Sequence, residues 1–326
     1  MGPGLTHNRV ASPGPPPLAQ RPGGTPREAI HILQAVSEPA ENQQIPAADY
    51  AILGGSGTGT QGSPEGDARV RVRLRERVFA TRFGDSPPVT NFEITDDAGA
   101  VRSVLFVRPH EGQPETGRER QSLALFSVLQ QAGVWRIVAE SGTASITQHF
   151  HPRDLIIPHD FIDFTHQCGG QLVPGAMVSM REPFCPDIRE ALWQRSRRFA
   201  AEKATRVFNR AVHATVEGPR FETAAEVAAL ARLGGDIIGQ TVTPAVYLAR
   251  EIGACFATVE MVLNYAEGVR PEWDFELLRA IVQEGAEELG GVALDALVAL
   301  PAQPTCSCAA LRKPVERGEA SAAVQL

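Results

Sequence analysis

Apolar positions begin to recur in earnest near Asp49. Tyr50-Ala-Ile-Leu53 is wholly apolar and ends in Gly54-Gly-Ser-Gly57, the pattern of a buried strand running into a tight loop. Further short apolar runs predict strands over residues 70–74, 103–107, 135–139, 154–157, 211–216 and 255–262. Between them the apolar positions take a helical period over 121–132, 187–203, 224–233 and 243–252, and again over 275–297 in a long closing helix. The fourth of these helices starts at Thr243-Pro244, and proline suits a first helical turn because its fixed φ is already helical. Strands alternating with helices predict an α/β domain on a largely parallel central sheet with both faces covered. No internal repeat is visible.

The two ends read differently. Residues 1 to about 45 are rich in Pro, Gly, Ala and Gln, including Pro13-Gly-Pro-Pro-Pro17, and offer little to a core. A disordered N-terminal extension over 1–45 is therefore expected ahead of one ordered domain over 46–311. Beyond Pro301 the chain turns polar and small and reads as a loose tail, with 312–326 flexible. The 326 residues are 43% hydrophobic, ample for a well-buried core, and the formal charge of -7 gives no reason to expect a nucleic-acid or anionic-membrane partner. No apolar run reaches the roughly 18–20 residues that span a bilayer. The N-terminus has Pro and Gly where a signal peptide needs its apolar stretch, so a cytoplasmic protein is expected. Of five cysteines, Cys168, Cys185 and Cys255 are isolated and read as buried, reduced thiols. Cys306 and Cys308 form a Cys-x-Cys pair that reads as two tail thiols; no His lies near it to complete a four-ligand site, and no metal is expected.

Candidate chemistry sits in loops at the carboxyl ends of predicted strands, where open α/β domains bind ligands. The glycines of Gly54-Gly-Ser-Gly-Thr58 let backbone N–H groups approach an anion and Ser56 adds a hydroxyl, although such a turn can equally be structural. Arg108-Pro-His110 offers a guanidinium fork for phosphate oxygens and a second donor from the same side of an extended chain, or a solvated surface pair. In Thr215-Val-Glu-Gly-Pro-Arg-Phe-Glu-Thr-Ala-Ala-Glu226, Phe221 stands beside Glu222 just after a Gly-Pro turn. A flat heterocycle could stack on the ring while the acid accepts one of its N–H protons; the plain alternative is a core aromatic and a helix-start acid. Asn264, in Met261-Val-Leu-Asn-Tyr-Ala-Glu-Gly268, can donate and accept toward a base edge or simply help turn the chain.

Taken together and in this order, these segments resemble the trimeric purine nucleoside phosphorylase and methylthioadenosine phosphorylase family, over about residues 51–311. The most specific pieces are Met180-Arg-Glu-Pro-Phe-Cys-Pro-Asp-Ile-Arg189, Glu217-Gly-Pro-Arg-Phe221 and Gly235-Asp-Ile-Ile-Gly-Gln-Thr-Val-Thr-Pro-Ala-Val-Tyr-Leu-Ala-Arg-Glu251. The resemblance implies a single-domain nucleoside phosphorylase fold with a central mixed β-sheet flanked by helices. It implies cleavage of the N-glycosidic bond of a purine nucleoside by inorganic phosphate, a co-substrate, with no cofactor. It also implies a homotrimer, and a Cys-x-Cys that can form a disulfide, as in thermophilic members.

Carried over by resemblance, Ser56, Arg108, His110, Ser141 and Thr241 would bind phosphate. Gly142 and Gln240 would line the sugar, Phe221 would stack on the base, and Glu222 and Asn264 would act on it catalytically, at N1–H and at N7 with the 6-substituent. Adenine-selective relatives carry Asp-x-Asp where this chain has Asn264-Tyr-Ala266. Asn264 beside Glu222 therefore predicts a 6-oxopurine, whose N1–H and O6 complement an acceptor and a donor. Trp273 and Phe275 are expected to give the 5′ pocket an apolar side suited to a methylthio group, as in methylthioinosine, or else to pack the closing helix. The chain departs from the family at Gln240 (usually Met), at Ala245 (usually Glu), at Thr-Ala-Ser after Gly142, and in lacking His-Gly-Arg around Arg108. Two alternatives follow: a methylthioadenosine phosphorylase of methionine salvage, and a catalytically weak nucleoside-binding paralogue.

Overall fold

The structure, a computed structural model, describes residues 44–55, 66–109, 117–165, 172–272 and 274–314. In chain order come strands β1 (Tyr50–Leu53), β2 (Val70–Arg77), β3 (Ala80–Thr81), β4 (Gly84–Asp85), β5 (Val89–Thr95) and β6 (Val101–Val107), then helix α1 (Arg118–Ala132). Strands β7 (Arg136–Ser145), β8 (Leu155–Ile156), β9 (Asp160–Asp163) and β10 (Ala176–Val178) lead to helix α2 (Pro186–Lys203). Strands β11 (Val207–Phe208) and β12 (Val212–Thr215), helix α3 (Ala224–Arg232), strand β13 (Ile237–Gly239) and helix α4 (Val242–Glu251) follow. The chain then forms β14 (Cys255–Tyr265), α5 (Phe275–Ala299), a 3-10 turn over Cys308–Leu311 and β15 (Arg312–Pro314).

Eleven strands form one sheet in the order β11-β8-β14-β7-β1-β6-β5-β2, with β9, β12 and β13 joining from the side of β7. Its centre is parallel: β1 lies between β6 and β7, and β14 runs alongside β7. Antiparallel partners flank it, so the sheet is mixed, as the resemblance implies, and less parallel than the strand–helix alternation alone suggests. The continuous apolar runs of β1 and of residues 255–262 are buried, and α2, α4 and α5 pack against β14.

Local chemistry sets the helix ends. Gly133 closes α1 in the left-handed region at φ 83°, where a side chain would be strained. Thr223 caps α3 and Glu226 reaches back to the Thr223 N–H, a reciprocal capping box. Asp274 caps α5 through the Leu277 N–H at 2.9 Å. In α4, Thr243 keeps extended dihedrals because it precedes Pro244, so regular helix begins at the proline.

The stretch beyond Pro301 is not loose as far as Pro314. The Asp187 carboxylate accepts from Thr305 N (2.8 Å), Thr305 Oγ1 (2.6 Å) and Cys306 N (3.3 Å), and β15 pairs antiparallel with β10. Cys306 and Cys308 are consequently not tail thiols. Both are free thiols packed against Cys185 and Cys255. Among the described residues, no helix is long and apolar enough to cross a membrane.

Candidate active site

The carboxyl ends of β7, β12, β13 and β14 converge on a cavity of about 770 Å³. Its walls include Gly142 from β7, Phe221 and Glu222 from the segment after β12, Gln240 and Thr241 after β13, and Asn264 near the end of β14. Residues spread over more than a hundred positions of sequence thus meet at one end of the sheet, as expected for an α/β domain. A narrower cavity of about 50 Å³ adjoins it, shares Arg118, Gln240 and Thr241 with it, and reaches Gly54 and Gly55 after β1.

One polar part of the lining is built on β7 and on the start of α4. Ser141 Oγ and Thr241 Oγ1 share a 2.8 Å hydrogen bond, and Ser141 Oγ also reaches Gly142 O at 3.1 Å. Thr241 is the N-cap residue of α4 and lines both cavities; its hydroxyl makes no side-chain cap bond and pairs with Ser141 instead. Gly55 packs against this strand so closely that a Cβ there would lie 2.8 Å from Glu140 O and 3.0 Å from Ser141 Cα. That approach explains why glycine follows β1.

Arg118, the first residue of α1, projects into both cavities. Its Nη1 donates to Gln240 O at 3.1 Å and its Nη2 to Gln240 Oε1 at 3.4 Å. Gln240 Nε2 in turn donates to Arg220 O at 3.2 Å. A methionine at position 240 could make none of these side-chain bonds. Desolvation by burial draws the Arg118 guanidinium below its ordinary range, with Glu217 opposing the shift.

Another part of the lining is suited to a flat heterocycle. Phe221 lines the cavity while 63% exposed, so a ring stacked on it would take apolar surface out of water. Glu222 is half-buried; desolvation raises its carboxyl above the usual range, outweighing Arg220 and the Gln240 side chain, which favour the charged form. Asn264 follows a register irregularity between β14 and β7, a feature that re-aims side chains near sites. One of its amide N–H groups donates to Tyr265 O at 2.9 Å, and the amide has a second to offer. Behind the wall, Gly239 admits His213, whose Nδ1 lies 2.8 Å from Glu260 Oε2 in a fully buried pair.

The profile of the phosphorylase superfamily matches residues 51–299. The chain belongs to the phosphorylase superfamily. It is 35% identical over 246 residues to a 6-oxopurine nucleoside phosphorylase of Pyrococcus furiosus, covering 72% of this chain and 89% of the relative. It is 35% identical over 226 residues to a probable S-methyl-5′-thioinosine phosphorylase of Methanopyrus kandleri, covering 68% and 80%. Among solved structures, a methylthioadenosine phosphorylase from an Antarctic soil metagenomic library superposes with a TM-score of 0.64 at 26% identity, over 81% of this chain and 91% of that one.

Of the residues singled out in the sequence, Ser141, Gly142, Phe221, Glu222, Gln240, Thr241 and Asn264 come together around these cavities, Ser141 through its bond to Thr241. Arg108 does not line them: it follows β6 with its guanidinium 5.3 Å from the Phe106 ring centre, and its neighbour Pro109 reaches the smaller cavity. Ser56, His110 and Trp273 lie outside the described residues. Phe275 is exposed and not part of the wall; Leu278 and Val282 of α5 supply the apolar side instead. Arg118 escaped the sequence reading because a helix-start Arg is commonplace, and its pairing with Gln240 spans 122 positions.

Proposed function

We propose that this chain is a pentosyltransferase that cleaves a purine nucleoside with inorganic phosphate, giving free base and a pentose 1-phosphate in purine salvage, with preference for 6-oxopurines. One observation carries the reading: a single cavity is lined by Phe221, Glu222 and Asn264 together with Arg118 and Thr241, whose hydroxyl is bonded to Ser141. The names of its relatives support the same chemistry.

In this proposal phosphate is held by Ser141, Thr241 and Arg118 near the N-terminus of α4, whose dipole favours an anion. Ser56, Arg108 and His110 join them by resemblance. As the glycosidic bond breaks, negative charge develops on the purine, and donors placed for that charge stabilise the transition state more than the ground state. Asn264 offers its second amide N–H at the N7/O6 edge, and ionised Glu222 accepts N1–H. Phe221 stacks on the base, while Gly142 and Gln240 border the sugar. Leu278 and Val282 favour an apolar 5′ substituent, which supports methylthioinosine beside inosine. The proposal extends to the homotrimer that the resemblance implies and to the cytoplasmic setting expected from the sequence.

A second reading, S-methyl-5′-thioadenosine phosphorylase, draws on the raised carboxyl of Glu222: once protonated, it could donate to the N1 acceptor of adenine. Incubation of the purified chain with inosine, methylthioinosine or methylthioadenosine, with and without phosphate, tests the proposal. Base release that requires phosphate and yields the sugar 1-phosphate is expected. Release independent of phosphate, or none from any of the three, refutes it; the latter result points to a nucleoside-binding protein.

A further inference from the structure

Four cysteines from three distant parts of the chain meet on the side of the sheet covered by α2. Cys185 is the N-cap residue of α2, Cys255 opens β14, Cys306 lies just before the 3-10 turn and Cys308 starts it. Their sulfur atoms all lie within 4.8 Å of one another, with Cys255 Sγ and Cys306 Sγ 3.5 Å apart. A disulfide would need about 2.05 Å. Four thiolates around one zinc ion, each at about 2.3 Å, stand ~3.8 Å apart along the edges of the tetrahedron. The observed spacing brackets that edge length, so small side-chain rotations suffice to close the shell. Cys185, Cys255 and Cys308 are buried and Cys306 is partly buried, and the four sulfurs together can supply a complete four-coordinate shell.

The surroundings fit such a centre. Asp187 fixes the ligand-bearing segment by accepting from Thr305 and Cys306, the kind of outer hydrogen bonding that orients ligands. A zinc tetrathiolate carries a net charge of minus two and needs a nearby cation. Arg136, fully buried, lies directly across from Cys255 in the β7–β14 register. It donates to Pro301 O, while its Nε and Nη2 have no hydrogen-bond partner among the described residues. Asp187 is the opposing charge close by, and it is engaged with the Thr305 and Cys306 backbone and hydroxyl donors.

We propose that Cys185, Cys255, Cys306 and Cys308 bind one structural zinc ion, which ties the start of α2 and the start of β14 to the C-terminal segment. With four protein ligands the site has no open position, so its role is to hold the fold rather than to act on substrate. This assignment is independent of the proposed phosphorolysis.

The test is elemental analysis of the untagged, full-length chain purified in the presence of reductant, together with its intact mass under non-reducing conditions. One zinc per chain is expected, released by a thiol-specific mercurial. Cobalt replacement should give the visible bands of tetrahedral thiolate coordination. Cys306→Ser combined with Cys308→Ser should remove the metal and lower Tm by at least about 5 °C, since metal binding is folding free energy. If that variant does not fold, cobalt spectra of the wild-type chain still decide the matter. Metal-free protein that is fully folded, cobalt spectra without thiolate bands, or a mass reduced by the hydrogens lost in disulfide formation would each overturn the proposal.

Discussion

Glu222→Gln separates the two readings of the base site. The substitution keeps shape and removes charge from a half-buried carboxyl whose pKa is raised chiefly by desolvation. In the oxopurine reading, the ionised carboxylate accepts N1–H. A hydrogen bond to a charged group contributes roughly 1.5–3 kcal/mol, and the partial exposure of Glu222 argues for the lower part, about 1.5–2 kcal/mol. At about 1.4 kcal/mol per factor of ten, kcat/KM for inosine or methylthioinosine should fall ~10- to 30-fold. Methylthioadenosine presents an N1 acceptor, to which the Gln amide can donate, so its kcat/KM should hold or rise. The pH dependence has a definite sign. As pH falls through the raised pKa of Glu222, the acceptor becomes a donor facing N1–H, and turnover of the oxopurine is lost. In Glu222→Gln that acid limb should flatten. Initial rates for both substrates across the acid-to-neutral range measure all three effects. An equal loss for both substrates with an unchanged acid limb would refute the placement of Glu222 against the base.

Arg118→Ala removes the cation shared by the two cavities and both bonds to Gln240; KM for phosphate should rise about 10-fold with little change in Tm, as checked by phosphate titration and thermal melting. Gly55→Ala sets a methyl 2.8 Å from the Glu140 carbonyl, so the backbone of β7 must shift; a destabilisation of roughly 1–3 kcal/mol in urea and a weaker phosphate KM are expected. Arg102→Met breaks a buried pair with Asp96 at 2.9 Å and two bonds to the carbonyls of Leu297 and Leu300 at the end of α5; denaturant unfolding should show a loss of ~3–5 kcal/mol.

The parts of this fold that were legible are those where local pattern and tertiary role agree. The apolar runs of β1 and β14 look buried because they are, and the helical period over 224–233 coincides with α3. Strand β5 was hidden by its own polarity. Asn91 is buried, yet its amide donates to Ser103 Oγ and Val104 O across the ladder, so a polar residue costs nothing there and breaks the expected pattern. That Phe221 and Glu222 line one cavity follows readily from their adjacency in sequence. The sequence offers Trp273 and Phe275 for the apolar side or for packing the closing helix; Trp273 lies outside the described residues, and Leu278 and Val282, four apart on one helical face, line the cavity where Phe275 does not. Arg118 and the four-cysteine cluster depend on contacts between segments far apart in the chain, and no local spacing announces them.

The central claim is that Glu222 and Asn264 read a 6-oxopurine. The ratio of kcat/KM for methylthioinosine to that for methylthioadenosine, measured on the wild-type chain at neutral pH with saturating phosphate, tests it most directly. A mismatch of roughly 1–3 kcal/mol at the adenine edge predicts a ratio of about 5 to 150 in favour of the oxopurine. A ratio below one would contradict the assignment.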